Sequence, residues 1–548
     1  MRQNLVLISF VLLWATLSTG CKKDETVDLA GITLSKTSTT LKPAITDTLS
    51  VTFFPEDASN KNVTWSSSNP DVATIDNKGI VKAVGVGSAI ITVTSAHNST
   101  LTATCDVTVS WATLNNISGD VFGIWEKNSI VNISGHITVP DGKTLTVEEG
   151  VQVIFDDNGV GVSHTPIEFM VEGKLYCKGT KANPVLFSVA PSKRIAANIF
   201  GANGNGLWGG IVGTIKCPEM LFDNVIIEYT GGNVVADSPS ALEGIYVADG
   251  KDITPHITTN NPQGKYIVTN CILRYGRSDA LYFIGGQGII TNNVFIANGQ
   301  TGGEAINMKA GCKVDAAFNL VFSPNTNGLK LSSSGQLDAS GRTQALIRAF
   351  NNTIINSGWR RNGVKGGGAF IEKGALVSVF NNLFVNCKFM AMTPKFDQPG
   401  TSDGADNASI IDYNFYASGS QQSTLAQDNP STISSFMGYT STQAWYFHDG
   451  RSGTPKVDLH SLVSASAGDV AKDPKFVSYG FNTVDLTSYT YDNNWNFHIQ
   501  AGSPALTGAY ATFTGAYAPY WATTGLTVNG VEYKTPAPAA YFGAFGTN

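Results

Sequence analysis

The chain has 548 residues, of which 14% are charged, and its formal net charge at neutral pH is −6. This length exceeds what one ordinary hydrophobic core can fill, so two or more structural units are expected. No basic run occurs, which argues against a nucleic-acid-binding protein. The 57 glycines, together with many Thr, Asn and aromatic residues, favour an extracellular protein rich in β-structure.

Residues 1–20 are predicted to form a signal peptide. Arg2 supplies a positive charge, and the apolar stretch 5–17 is too short for a membrane-spanning helix. It ends in Leu17-Ser18-Thr19-Gly20-Cys21, which resembles a bacterial lipoprotein lipobox, although the leucine stands four places before Cys21 instead of three. The resemblance implies a lipid on Cys21 that holds the protein to a membrane without a transmembrane helix. A plain secretory signal with cleavage nearby is the alternative.

Residues 21–28 are predicted to be a lipidated linker. The segment Lys22-Lys23-Asp24-Glu25 looks like the charged tag with which some Gram-negative lineages send lipoproteins to the cell surface. The resemblance implies a lipid-anchored protein of the outer membrane, displayed at the cell surface.

Residues 29–110 predict a separate β-sandwich, because several short alternating strands are separated by turns every ten residues or so. The segments Val63-Thr64-Trp65-Ser66-Ser67 and Gly79-Ile80-Val81-Lys82-Ala83 are closely similar to the group 2 bacterial immunoglobulin-like domain. The resemblance implies a spacer or adhesive module on a cell surface. Trp65 is interpreted as the core tryptophan of this domain and not as a sugar-binding residue.

The six cysteines after Cys21 form neither a CxxC pair nor a Cys/His cluster, so no zinc site is expected. Buried free thiols are the simplest interpretation, and a disulfide between neighbouring coils is the alternative. The six are Cys105, Cys177, Cys217, Cys271, Cys312 and Cys387.

One short phrase recurs between residues 222 and 419: an asparagine, two or three apolar residues, usually a polar one, and a turn. The copies begin at Asn224, Asn270, Asn293, Asn319, Asn352, Asn382 and Asn414. From Asn270 onward the steps are 23 to 33 residues, the period of stacked repeats. The apolar runs are rich in Ile, Val and Phe, which is typical of strands. We interpret the asparagine as a bend residue whose amide also bonds its equivalent in the next coil, with all seven copies in one register.

The run Phe380-Asn381-Asn382-Leu383-Phe384-Val385-Asn386 resembles a rung of the right-handed parallel β-helix in the pectate-lyase-like superfamily. The resemblance implies that residues 111–525 form such a solenoid, with an insertion near 419–469 and a C-terminal tail at 526–548. The expected fold class is all-β, a small immunoglobulin-like β-sandwich followed by a right-handed parallel β-helix. That superfamily includes lyases, hydrolases, adhesins and proteins of unknown role, so the fold leaves the function open.

Strand alternation predicts where side chains of this solenoid point, because equal positions in successive coils form a column. We align the runs 280–283, 305–308 and 328–331. The predicted inward residues are Leu281, Ile306 and Leu329. The predicted outward residues are Tyr282, Asn307 and Lys330, and the second polar column just before them consists of Asp279, Glu304 and Asn327.

The predicted ligand-binding residues are Asp279, Tyr282, Glu304, Asn307, Lys309 and Lys330. An aromatic ring beside carboxylates, an amide and lysines is typical of a sugar-binding surface. In the lyase relatives, acidic clusters hold calcium, and a Lys or Arg takes the proton alpha to a uronate carboxylate. For a lyase, the resemblance therefore implies catalysis by Lys330 and Glu304, with calcium near Asp279 and Glu304. An ordinary solvated sheet face and binding without catalysis are the alternatives.

These expectations combine into a surface-anchored binding or adhesion lipoprotein that presents a β-helix face to an extended ligand, expected to be an extracellular polysaccharide or surface glycan. A polysaccharide lyase or glycoside hydrolase is one alternative. An accessory subunit of an outer-membrane nutrient importer is another. Apart from calcium in the lyase alternative, no cofactor or metal is expected.

Overall fold

A computed structural model of the chain describes residues 26–200, 206–300, 302–335, 341–361, 366–388, 391–394, 404–420, 458–464 and 468–547. The predicted signal peptide, the predicted lipidation site Cys21 and most of the predicted insertion near 419–469 lie outside these residues. The chain divides into two compact units, Met1–Trp111 and Ala112–Asn548. Within the described part, no helix is both long and apolar enough to cross a membrane.

The first unit is a β-sandwich. Its strands are Gly31–Leu34, Ser38–Leu41, Thr46–Thr48, Val51–Phe54, Val63–Ser67, Ala73–Ile75, Ile80–Ala83, Gly87–Ser95 and Thr102–Val109. They form sheets of four, three and two strands. Alternate residues of the strands, such as Val81, Ile91 and Val107, fill the core, and Trp65 packs against it as predicted.

The second unit is a solenoid built from three stacks of parallel strands, which we name the first, second and third faces. The first face contains Gly123–Trp125, Thr144–Val147, Lys174–Lys178, Glu219–Asp223, Lys265–Thr269, Gly286–Thr291, Cys312–Ala317, Leu346–Phe350, Leu376–Phe380 and Ile410–Ile411. The second face contains Gln152–Phe155, Val185–Val189, Val225–Glu228, Ile272–Arg274, Val294–Ile296, Leu320–Phe322, Thr353–Ile355, Leu383–Val385, Phe415–Ala417 and Leu462–Val463.

The third face contains Phe169–Val171, Ile211–Gly213, Ile257–Thr259, Leu281–Phe283, Ile306–Met308, Leu329–Ser332, Ala369–Glu372 and Met392–Pro394. Strand Ile130–Val139 joins the second and third faces, because its first half pairs with Gln152–Phe155 and its second half with Phe169–Val171. The strand Thr113–Asp120 pairs along it and forms the edge of the combined sheet. The predicted β-helix architecture is confirmed.

Helices are short throughout the described residues. The α-helix Pro239–Leu242 has one turn. The 3₁₀ turns are Pro191–Lys193, Ala196–Asn198, Val470–Lys472, Pro504–Leu506 and Gly515–Tyr517.

A ladder of buried asparagines stabilises the bend between the first and second faces. The Nδ2 of Asn293 donates to Oδ1 of Asn319 at 3.0 Å, and Asn319 donates to Asn352 at 2.9 Å. Asn352 donates to Asn382 at 2.9 Å, and Asn382 to Asn414 at 3.0 Å. Each oxygen also accepts the backbone N–H of the preceding rung's asparagine, so every rung of the ladder is satisfied.

The expectation that all seven asparagines share one register was wrong for two of them. Asn224 and Asn270 lie one position earlier, in the bend itself, where their φ angles are +53° and +56°. They hydrogen-bond to Asp223 instead of to the ladder. Asn292, Asn351 and Asn381 occupy the same left-handed bend position in later coils. Asn tolerates this backbone region better than most residues, so bend and ladder are two separate roles.

The six described cysteines are buried and free, in agreement with the simpler interpretation. Burial raises the pKa of the thiols of Cys177, Cys217, Cys271, Cys312 and Cys387 inside the solenoid.

The C-terminal segment leaves the coils and packs against the outside of the first two faces. Its antiparallel strands Phe476–Ser478 and Asn496–Ile499 belong to an apolar cluster with outward residues of the second face. Its hairpin Leu526–Val528 and Val531–Tyr533 contributes to a cluster with outward residues of the first face. Buried Asp315 on the first face holds this segment by accepting hydrogen bonds from Tyr520, Trp521 and Thr535.

Candidate functional site

A cleft of about 310 Å³ opens on the third face. Its lining comes from three segments, 245–255, 277–282 and 302–307. The first belongs to the loop 231–256, which connects the second face to the third. The other two contain four members of the predicted polar columns, Asp279, Tyr282, Glu304 and Asn307. A volume of this size lies at the lower end of the range for small-ligand sites.

The register of the third face places the predicted outward column as expected. Tyr282 pairs with Asn307, and Asn307 pairs with Lys330 in the following coil. The intervening side chains Leu281 and Ile306 are fully buried. Of this column, only Tyr282 and Asn307 line the cleft.

Lys330 lies one coil beyond the cleft. Its Nζ is 3.5 Å from Oε1 of Glu372 and 5.9 Å from the centre of the Phe370 ring. Lys309 lies beside the cleft, with its Nζ 5.8 Å from the centre of the Tyr282 ring. Burial, followed by the charge of Lys330, lowers the pKa of Lys309.

The second polar column forms a hydrogen-bonded network, two members of which, Asp279 and Glu304, line the cleft. Oδ1 of Asp279 accepts the backbone N–H of Glu304 at 2.8 Å, and Oδ2 accepts Nδ2 of Asn307 at 2.8 Å. Oε1 of Glu304 accepts Nδ2 of Asn327 at 3.2 Å. Burial and the adjacent charge of Glu304 raise the pKa of Asp279 well above its usual range. The network therefore holds a carboxyl group that favours its protonated form.

Asn307 carries an unsatisfied acceptor. The residue is 5% exposed, and its Oδ1 has no hydrogen-bond partner among the residues that the structure describes. Its Nδ2 is already committed to Asp279. Because a buried acceptor without a partner is costly, this oxygen marks a place where a ligand can donate.

Two tyrosines give the cleft an aromatic side. The rings of Tyr246 and Tyr282 have centroids 6.2 Å apart with an interplanar angle of 27°. The hydroxyl of Tyr246 is fixed by a 2.6 Å hydrogen bond with Oγ1 of Thr258. Burial, followed by the neighbouring carboxyl groups of Asp279, Asp252 and Glu304, raises the pKa of Tyr282, so its hydroxyl stays protonated near neutral pH.

The loop 231–256 is held against the third face by a buried carboxylate. Glu168 accepts hydrogen bonds from the backbone N–H of Ser240 at 2.8 Å, from its hydroxyl at 2.7 Å and from Thr254 at 3.4 Å. Burial raises the pKa of Glu168. Apolar packing around Val234 and Tyr246 completes the attachment.

This loop was missed by the sequence interpretation, although a signal was available. The step from Asn224 to Asn270 is 46 residues, against 23 to 33 for the later steps. An insertion of about one coil was therefore visible in the spacing, but nothing local indicated that it folds back over the third face.

The cations at the cleft differ in how firmly the protein holds them. Arg277 donates to the carbonyl of Gly231, to Asn233 Oδ1 and to Gln300 Oε1. Lys251 pairs with Asp249 at 3.2 Å. Arg274, a sequence neighbour of the cleft, instead pairs with Glu228 on the second face at 2.7 Å.

Calcium remains a prediction. Among the described residues, no group of three or more His, Cys, Asp or Glu side chains could hold a metal ion. Calcium takes six to eight oxygen ligands, whereas both oxygens of Asp279 already accept hydrogen bonds. The donor set of this cleft therefore gives a poor fit to calcium.

Residues 28–105 match the family model of the bacterial Ig-like domain (group 2). The N-terminal unit is an immunoglobulin-like domain. This match confirms the resemblance drawn from the Trp65 and Gly79 segments, and it covers the sandwich and not the solenoid.

Curated relatives match short parts of the chain. An uncharacterized protein of Clostridium acetobutylicum is 37% identical over 111 residues, which is 19% of this chain and 12% of that protein. A 3-O-alpha-D-galactosyl-alpha-L-arabinofuranosidase of Bifidobacterium longum subsp. longum is 39% identical over 70 residues, 13% of this chain and 6% of the enzyme. A kappa-carrageenase of Pseudoalteromonas carrageenovora is 43% identical over 67 residues, 12% of this chain and 17% of the enzyme. The chain thus spans less than a fifth of the length of each of these three relatives.

Proposed function

We propose that the protein is a cell-surface binding lipoprotein that holds a glycan in the cleft of its third face. The observation that carries the proposal is the convergence of a tyrosine pair, an unpartnered buried amide oxygen and a hydrogen-bonded carboxyl group in one cleft. A concave site with an apolar side and a few fixed polar groups is the usual form of a small-ligand site.

The chemistry of these groups suits a sugar. A sugar ring presents C–H groups on its faces and hydroxyls around its edge, so it needs an aromatic surface together with hydrogen-bond acceptors and donors. The cleft supplies the aromatic surface through Tyr246 and Tyr282, and polar groups through Asp279, Glu304 and Asn307. Because the cleft is small, it engages one short stretch of a longer glycan chain.

The proposed location follows from the N-terminal region. A lipid on Cys21 would anchor the chain in the outer membrane, and the immunoglobulin-like domain would act as the spacer between the membrane and the solenoid. Two relatives that match part of this chain are named as enzymes acting on a galactosyl-arabinofuranosyl linkage and on carrageenan. Their names support a carbohydrate environment for the protein.

Binding can be tested with the purified chain from Lys22 onward on an array of neutral, carboxylated and sulfated polysaccharides. We expect at least one ligand, and about a tenfold loss of affinity in Tyr282→Ala, the magnitude of a lost aromatic contact. The exposed Lys181→Ala variant, away from the cleft, is the control and should bind like the wild type. Absence of any ligand on the array contradicts the proposal.

The anchor has its own test. Cells that express the full chain should incorporate labelled fatty acid into the protein and expose it to externally added protease. Cys21→Ser should abolish the labelling. A protein that remains unlabelled, or that is released into the medium, contradicts the anchor and leaves glycan binding to be judged separately.

A second function, glycan hydrolysis, is favoured by one observation. The buried carboxyl of Asp279 has a raised pKa and accepts a hydrogen bond from the backbone N–H of Glu304, the second carboxyl residue of the same column. Glycosidases use one carboxylic acid to protonate the leaving oxygen and a second carboxylate as base or nucleophile. Release of reducing ends by the wild type and its loss in Asp279→Asn would establish hydrolysis. An unsaturated product absorbing in the ultraviolet would instead indicate a lyase.

A further inference from the structure

The carboxyl groups and the cations around the cleft differ in how freely they can contact a ligand. Three carboxyl groups line it, those of Asp252, Asp279 and Glu304. Of the two cations that line it, buried Arg277 bonds to three protein acceptors, whereas Lys251 forms an exposed ion pair with Asp249. A ligand that enters therefore meets several acceptor oxygens, and the buried cation that lines the cleft, Arg277, is already held by protein acceptors.

The unpartnered oxygen of Asn307 sets a stricter condition. In this structure Nδ2 of Asn307 donates to Oδ2 of Asp279 at 2.8 Å, so Oδ1 is the amide atom left for the ligand. The ligand group next to Oδ1 must therefore be a donor, such as a sugar hydroxyl. A sugar carboxylate or sulfate offers only acceptors, and it would leave this buried oxygen unsatisfied.

Electrostatic repulsion also disfavours a ligand that carries a carboxylate or sulfate. A carboxylate or sulfate placed in the cleft would be within interaction range of Asp252 and Glu304, and like charges in a partly buried site repel more strongly than in water. The hydroxyl of Tyr282, which has no hydrogen-bond partner among the described contacts, is surrounded by the same carboxyl groups. It can donate to or accept from a ligand hydroxyl.

From these contacts, and resting on the proposed glycan-binding function, we infer that the cleft takes a neutral sugar unit with free hydroxyls and rejects a unit bearing a carboxylate or sulfate. The preferred ligand class is a neutral extracellular polysaccharide. The deciding features are the buried acceptor of Asn307 and the carboxyl groups of Asp252, Asp279 and Glu304.

The test uses ligand pairs that differ only in charge. Oligomers of polygalacturonate are compared with the same oligomers after reduction of their carboxyl groups, and carrageenan oligomers with their desulfated form, by isothermal titration calorimetry. The broad array identifies further neutral and anionic ligands. We expect the neutral member of a bound pair to bind about tenfold more tightly than its anionic counterpart. The same difference is expected between a neutral polysaccharide of the array and anionic ligands of the same length.

Two variants separate charge from hydrogen bonding. Asp252→Asn combined with Glu304→Gln keeps the acceptors that serve Val247 and Asn327 but removes two charges, and it should raise affinity for the carboxylated oligomer about fivefold. Asn307→Leu should lower affinity for the neutral ligand about tenfold. Thermal unfolding of each variant shows whether it is folded, and Lys181→Ala is the control for both.

The outcomes distinguish the inference from the function on which it rests. If the protein binds only anionic glycans, or binds them as tightly as neutral ones, the inference is wrong and the glycan-binding function stands. If no glycan of either kind binds, both are wrong. If the double variant leaves the neutral preference unchanged and Asn307→Leu also binds normally, the preference arises elsewhere and the inference is overturned.

Discussion

The second and third faces of the solenoid have the same strand geometry but opposite outward surfaces. In the later coils of the second face, from Ile296 onward, the outward residues are apolar, among them Phe322, Ile355 and Val385, and the C-terminal segment buries them. On the third face the equivalent column runs through Tyr282 and Asn307, and the loop 231–256 covers it only as far as the cleft. One scaffold thus has one face that binds its own chain and another with a cleft that remains open. The outward column, and not the backbone, decides which face can hold a ligand.

The largest expected effect is on the covered face. Phe322 is 1% exposed, and its ring centre lies 5.4 Å from that of Tyr491 and 5.1 Å from that of Trp495. Phe322→Ala should lower the free energy of unfolding by about 4 kcal/mol, since it creates a cavity between solenoid and segment. Hydrogen exchange should accelerate in residues 476–499. A loss below about 1 kcal/mol would show that the segment is not held by this face.

The side-chain amides of the asparagine ladder and of Asn307 in the cleft should differ in their effect on stability. Asn352 has four amide contacts within the ladder, so Asn352→Ala leaves several buried groups unpaired and should cost about 3 kcal/mol in chemical denaturation. Asn307→Leu should cost about 1 kcal/mol, because only its bond to Asp279 is lost. Equal losses in the two variants would remove the distinction between a structural ladder and a ligand-facing amide.

The loop 231–256, which forms one wall of the cleft, can be loosened without changing the packing of the C-terminal segment. Glu168→Ala removes the acceptor for both donors of Ser240 and should cost about 2 kcal/mol. Hydrogen exchange should become faster in residues 239–254, with weaker glycan binding and no change in 476–499. The matched control is Glu172→Ala, four residues further on, whose partly exposed ion pair with Lys216 contributes at most about 1 kcal/mol. Normal exchange in 239–254 of the Glu168 variant would contradict the anchoring role.

The smallest effect is a pH dependence at the end of the second face. Burial raises the pKa of Asp458 from 3.8 to about 7. A carboxyl with a raised folded pKa contributes stability that is present below its unfolded pKa and lost as pH rises through its folded pKa, so this contribution should disappear between pH 4 and pH 7. Asp458→Asn keeps the acceptor for Tyr416 and Ser461.

Relative to the wild type, this variant should therefore be more stable at pH 8 than at pH 4 by about 1–2 kcal/mol. Exposed Asp120→Asn should show no such difference. The measurement is denaturant unfolding at the two pH values. A pH-independent difference between wild type and Asp458→Asn would mean that Asp458 titrates normally.

The coil repeat determined how much of the fold and of the candidate site could be predicted from the sequence. The column through Tyr282, Asn307 and Lys330 was placed in register because equal positions in successive coils become neighbours. The doublets Asn351-Asn352 and Asn381-Asn382 contain both a bend residue and a ladder residue, whereas the single Asn224 and Asn270 do not indicate which role they take.

Contacts made by segments that do not repeat could not be predicted from the sequence. The loop 231–256 has no repeat, and its attachment depends on Glu168, 72 residues before Ser240. Lys330 lies one coil beyond the part of the third face where this loop lines the cleft. The covering of two faces by residues 468–547 is likewise non-local, with Asp315 bonding to Thr535, 220 residues later.

The most direct measurement is hydrogen exchange of the chain with and without a saturating neutral oligosaccharide identified on the array. If the third face is the binding face, protection should increase in residues 243–256, 277–283 and 302–308 and stay unchanged in 476–499 and 526–533. Protection confined to the first or second face, or to the immunoglobulin-like domain, would contradict this account.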